Sequence, residues 1–184
     1  MGNDDNLRAV ILGEHGILAC VGVQAKKTPY PCGVRQCRMH RRGPNQQEVD
    51  LCTDFLTAMG VGAKQANLLF DVEPLNRFEC CFLNTAAKGK QLADDVNFDK
   101  VGILYDTHYA SIEENSVYGA ITALGSRLNY FQVSESHGTG AVDWKNSFRP
   151  LKDMNYKGWL VLESFAKDEV VKKGFAPIQN HLAN

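Results

Sequence analysis

Residues 101–114 read VGILYDTHYASIEE, a strand-length apolar run (Val101, Ile103, Leu104, Tyr105) that ends abruptly on an acid, Asp106, followed by Thr107, His108 and Tyr109. The same pattern occurs on either side of it. NLLFDVE leads through apolar residues to Glu73, WLVLES leads to Glu163, and NYFQVS sets a polar Gln132 inside an apolar run. These four positions recur roughly 30 residues apart, the length of a strand and its crossover helix in a βαβ unit. Parallel strands joined in this way point their C-terminal ends to one side of the sheet, so the polar strand ends are expected to converge.

The 184 residues are 44% hydrophobic with a formal net charge of -1, the profile of one globular domain, 1–184, able to bury a sizeable core. That balance gives no reason to expect a nucleic-acid partner. No apolar run approaches the ~18 residues of a membrane span, and the start MGNDDN lacks the basic flank and apolar core of a signal peptide. A cytoplasmic protein without a membrane partner is expected. Reduced thiols are the default for the six cysteines. Cys32, Cys37 and His40 come nearest to a zinc cluster, but their gap is wrong and a fourth ligand is missing.

Taken in order, residues 7–23 hold two short apolar runs broken by Gly13 and Gly16, which fit one or two strands or a strand entering a loop. Residues 24–45 are basic and rich in breakers, and read as a solvated loop. Val49, Cys52, Phe55, Leu56 and Met59 form a helical stripe that is expected to close at Gly60 and Gly62. After the strand 67–73, Pro74 prevents direct continuation into a helix. A helix over 84–96 would be capped by Asn84 or Thr85. A single helix over 111–124 follows Asp106, with Glu113 and Glu114 as its solvated first turn. A helix over 143–154, a strand over 159–163 and a short closing helix from 167 complete the reading.

The segments EPLNRFE (73–79), FLNTAA (82–87), YDT with IEE (105–107 and 112–114), GTGAVDW (138–144) and YKGWLVLESF (156–165) resemble the sugar isomerase/epimerase group. More narrowly they are similar to the tagatose/psicose 3-epimerases, which belong with the xylose isomerase-like barrels. The resemblance spans roughly residues 67–166 and implies an α/β fold, a (β/α)8 barrel holding manganese or cobalt, with magnesium possible, at the C-terminal strand ends. By that resemblance Glu73, Asp106, Gln132 and Glu163 stand at the metal positions. Glu73 and Glu163 double as the catalytic pair, and Glu79, His108, Tyr109 and His137 are the candidate sugar contacts. The implied reaction is epimerisation of a ketose, free or phosphorylated. The metal would stabilise an enediolate while one carboxylate takes the proton next to the ketone and the other returns one on the opposite face. Three carboxylates at neighbouring strand ends would repel one another without a cation, and hard oxygen ligands favour manganese or magnesium.

The chain departs from the family pattern in places. Gln132 stands where the family has a metal-binding histidine and Tyr109 where it has a substrate-binding histidine, and the loop arginine after the SE motif is absent. A full barrel takes about 250 residues and eight strands, so a partial barrel of four or five βα units is expected, with other units supplied by another chain or by the N-terminal region. A homo-oligomer fits that expectation. Two other readings stay open. One is an impaired homologue acting as a binding or assembly partner. The other is an endonuclease IV-like metallohydrolase, which would need a histidine-rich zinc cluster, whereas His15, His40, His108, His137 and His181 do not fall at matching strand ends.

Overall fold

The computed structural model describes residues 22–25, 44–65, 67, 69–135 and 142–163. The apolar run before Gly22, the body of the basic loop, Cys32, Cys37, His40, His137 and the closing helix from 167 lie outside the described residues. The elements are β1 (Gly22–Ala25), α1 (Gln46–Gln65), β2 (Phe70–Glu73), α2 (Ala86–Val96), β3 (Val101–Asp106), α3 (Thr107–Glu113), α4 (Val117–Leu124), β4 (Leu128–Val133), α5 (Trp144–Asp153) and β5 (Trp159–Leu162). They form a five-stranded sheet in the order β1-β2-β3-β4-β5. From β2 to β5 every pairing is parallel and each crossover carries helix, the βα repeat of a barrel. β1 departs from the barrel expectation, because it pairs antiparallel to β2.

Alternation along the strands separates the two faces of the sheet. Phe70 and Val72, then Val101, Ile103 and Tyr105, then Leu128, Phe131 and Val133 pack with Leu56, Leu92, Ala93, Ile121, Leu124 and Phe148 of the helices. Their neighbours Asp71, Glu73, Gly102, Asp106 and Gln132 therefore face the other side. A register shift between Ile103 and Leu104 leaves Asn129 between the pairs Ile103–Leu128 and Leu104–Tyr130. There its Nδ2 donates to Asp71 Oδ1 at 2.8 Å, passing over Gly102.

Local chemistry explains where the elements differ from expectation. α1 does not close at Gly60 but runs through both glycines to Gln65, since Gly60 lets the Phe98 ring lie against the helix, where a Cβ would come within 2.9 Å of it. β2 starts at Phe70, with Asn67 held at φ 51° in the turn before it. The single helix over 111–124 is two helices. The Asp106 carboxylate accepts from His108 N and starts α3 directly at the strand end, and Ser116 caps α4 through Gly119 N. Glu113 and Glu114 thus end the first helix rather than forming a solvated first turn. Thr85, not Asn84, caps α2 by accepting from Lys88 N at 3.3 Å. Asn84 instead donates to the carbonyls of Leu75 and Cys80. Thr85→Ala is accordingly expected to cost about 0.5–2 kcal/mol, read as a lowered urea midpoint, while Asn84→Ala should loosen the loop before α2 without removing the cap.

Candidate functional site

Each acid reaches the site because a strand ends beneath it. Glu73 is the last residue of β2 and Asp106 the last of β3. Gln132 on β4 lies in register with Asp106. Glu163 follows β5 directly, where its backbone N–H donates to Val133 O at 2.9 Å. The structure thus brings all four to one edge of the parallel sheet, with Glu73, Asp106 and Gln132 buried. Burial, and then repulsion from Asp106, Glu163 and Glu79, pushes the Glu73 carboxyl well above its ordinary range. Asp106 is pushed up to about 7 by burial, with the Ser134 hydroxyl opposing and Glu163 adding to the rise.

Two of the four side chains bond each other, and Asp106 is held by a neighbour. Gln132 Nε2 donates to Glu163 Oε2, and the Ser134 hydroxyl donates to Asp106 Oδ1. The Thr107 hydroxyl ties the same strand ends by donating to Ser134 O at 2.5 Å and accepting from Ser134 N at 2.9 Å. In this arrangement no three His, Cys, Asp or Glu side chains among the described residues form a ready coordination cluster. Gln132 Oε1, however, is buried with no hydrogen-bond partner. An orphaned carbonyl oxygen beside three carboxylates is an acceptor set with too few donors, and every atom in it is a hard oxygen suited to a divalent cation.

The candidate sugar contacts among the described residues, Glu79, His108 and Tyr109, follow the same strand ends. Glu79 Oε1 accepts from Asn76 Nδ2 at 2.8 Å, and its Oε2 lies 3.4 Å from the Tyr109 hydroxyl. Burial raises the Tyr109 phenol, and the charges of Glu73, Glu79, Asp106 and Glu163 add to the rise. His108 donates its backbone N–H to Asp106 and sets its ring against Tyr109, the centroids 5.2 Å apart. Asn76, Ser134 and Thr107 were missed in the sequence. An asparagine three residues before Glu79 and a threonine directly after Asp106 were the signals available. A cavity of ≈ 640 Å³, lined by Leu69, Leu128, Met154 and Trp159 among others, opens at the N-terminal ends of the strands, away from the acids.

The raised carboxyls carry a pH signature. Burial lifts Asp71 to about 6, with Asn129 opposing, and Asp106 to about 7, against roughly 3.9 in an unfolded chain. For groups raised on folding, the favourable contribution is present below the unfolded value and is lost as pH rises through the folded one. The chain without added metal should therefore lose stability between pH 4 and 7, by about 3 kcal/mol for the two-unit rise at Asp71 alone. Urea midpoints across that range measure it.

A sequence profile described as the xylose isomerase-like TIM barrel matches residues 8–181, and the chain belongs to that family. It is 32% identical over 155 residues to an L-ribulose 3-epimerase of Methylomonas sp. (strain DH-1), covering 77% of this chain and 52% of that one. To a D-psicose 3-epimerase of Agrobacterium fabrum it is 37% identical over 118 residues, 62% of this chain and 38% of that one. In three dimensions it overlays a D-allulose 3-epimerase from Methylomonas sp., solved in complex with D-allulose. The TM-score is 0.66 at 29% identity, over 78% of this chain and 50% of that one. The chain thus spans about half the length of these relatives, or less, and a partial barrel fits that coverage. No helix among the described residues is long and apolar enough to cross a membrane.

Proposed function

We propose that the chain carries the proton-transfer half of a metal-dependent ketose 3-epimerase. The observation that supports this most is the gathering of Glu73, Asp106 and Glu163 with the orphaned Gln132 Oε1 at adjacent parallel strand ends, in a chain whose relatives are ketose 3-epimerases. Glu73, Asp106, Glu163 and Gln132 Oε1 would hold one divalent cation, manganese or cobalt being the candidates and magnesium a third. When bound, it supplies the positive charge that lowers the cost of negative charge growing on the ketone oxygen. Glu73 and Glu163 flank the sugar carbon next to the ketone, one taking its proton and the other returning one to the opposite face. The Glu73 carboxyl, raised by burial, is a stronger base than a solvated carboxylate once it is ionised. Glu79, Tyr109 and His108 bind sugar hydroxyls, and His137 belongs to the same proposal. The test is manganese-dependent incorporation of solvent deuterium at the carbon next to the ketone of L-ribulose or D-psicose. No incorporation above a metal-free control would remove the reading.

A cytoplasmic location and a homo-oligomeric assembly form part of the proposal. Among the described residues β5 has a sheet neighbour on one side only, and sedimentation equilibrium reports whether a second copy joins.

One observation favours a weaker second reading, an impaired relative serving as an assembly partner. Gln132 holds Glu163 by hydrogen bonding and brings a neutral amide to the site. Imidazole is the better ligand for manganese or cobalt, so Gln132→His is expected to tighten metal binding by roughly 10-fold or more, on the scale of ligand-sphere effects. Titration calorimetry reads this directly, and an unchanged affinity would count against the impaired-site reading.

A further inference from the structure

The loop between β2 and α2, which carries Glu79, is held from outside by two consecutive glutamates. Glu113, its side chain 6% exposed, accepts on Oε1 both the Arg77 backbone N–H at 2.6 Å and Arg77 Nε at 2.9 Å, and on Oε2 the second guanidinium nitrogen at 3.0 Å. Glu114 Oε1 accepts from Ala86 N at 2.6 Å, where the loop enters α2. Between these anchors Asn76 Oδ1 accepts from Phe78 N, and its Nδ2 reaches Glu79 Oε1.

Two features separate this brace from an ordinary surface ion pair. Arg77 is 60% exposed, so charge attraction alone would contribute little. The Glu113 side chain, however, is only 6% exposed and accepts a main-chain N–H, which fixes the backbone two residues before Glu79. The tip of the loop is not held by apolar burial either, since Phe78 is 69% exposed. Hydrogen bonds therefore set its course. The same helix, α3, begins at Asp106 and carries Tyr109, whose hydroxyl faces the other Glu79 oxygen. One short helix thus fixes Glu79 relative to the acids from both sides.

We infer that Glu113, acting through Arg77, is a positioning residue that sets where Glu79 stands for a sugar, with Glu114 fixing the far end of the loop. The inference rests on the ketose reading of the site. In the full chain, Glu113→Ala should speed amide hydrogen exchange at residues 77–80 by roughly 10-fold or more, as loss of charge-assisted bonds to a backbone amide implies. Exchange along β3 should stay unchanged. With manganese and a ketose, KM should rise about 10-fold while kcat and metal affinity hold within about 3-fold, since binding geometry rather than proton transfer is lost. Glu113→Gln keeps an acceptor for the Arg77 N–H and should recover much of the protection. Unchanged exchange at 77–80, or a loss of protection that spreads equally to β3, would overturn the inference. So would a fall in kcat at constant KM. If the unsubstituted chain turns over no ketose, the exchange measurement still decides the positioning role, and only the proposed function fails.

Discussion

Glu163→Gln is expected to slow deuterium exchange at the sugar carbon by ~10²–10⁴-fold, which is about 3–5 kcal/mol of transition-state stabilisation. The amide has nearly the shape of the carboxylate and keeps a carbonyl oxygen that can accept from Gln132 Nε2, so the strand end should survive the change. What disappears is the capacity to carry a proton, along with one negative charge at the proposed cation site. Because Glu163 is also proposed as a ligand, metal affinity should fall as well, and exchange must be read at saturating manganese to separate the two effects. Glu79→Gln serves as the contrast: as a sugar contact it should raise KM while leaving metal affinity intact. Undiminished exchange in Glu163→Gln, at full metal occupancy, would take Glu163 out of the proton transfer.

The second large effect is structural and lies one layer below the acids. A Cβ on Gly102 would stand 1.9 Å from Asn129 Nδ2, 2.5 Å from its Cγ and 2.8 Å from Asp71 Oδ1. Gly102→Ala must therefore push Asn129 aside and leave the buried Asp71 carboxyl without the donor seen at 2.8 Å. Overpacking costs about 1–3 kcal/mol and an unsatisfied buried group a similar amount, so a combined loss of about 2–5 kcal/mol is expected. Gly62→Ala is the matched control. Nothing lies within 4 Å of its Cβ position in the last turn of α1, and the change should be neutral or stabilising by up to ~1 kcal/mol. Equal melting temperatures for the two variants would contradict the packing described for Asn129.

Glu73, Asp106 and Glu163 were legible because a parallel strand imposes a simple grammar: apolar residues that need burial, then a polar residue where the strand leaves the sheet. That grammar survives in any register, which is why the order and spacing of the βα units could be read directly. What could not be read depends on contacts between distant residues. Nothing near Gly60 announces that Phe98 will fill the space above it and let the helix continue. The division into α3 and α4 turns on Asp106 and Ser116 acting as caps, and a capping side chain has the same spelling as a solvated one. Glu113 and Glu114 looked like an ordinary acidic first turn, whereas their partners Arg77 and Ala86 lie 36 and 28 residues away. The antiparallel pairing of β1 rests likewise on a long-range choice of partner rather than on its own four residues.

The central claim is that Glu73, Asp106, Gln132 and Glu163 hold a single divalent cation. The most direct measurement is calorimetric titration of the chain with manganese at pH 6, in buffers of different ionisation heat so that proton release is counted. Burial pushes Asp106 up to about 7 and raises Glu73 in the same direction; Asp106 is therefore substantially protonated at that pH, and a ligand must shed its proton to bind. The account predicts one manganese per chain, release of about one proton on binding, and loss of both signals in Asp106→Asn. Absence of binding, or binding without proton release that Asp106→Asn leaves untouched, would contradict it.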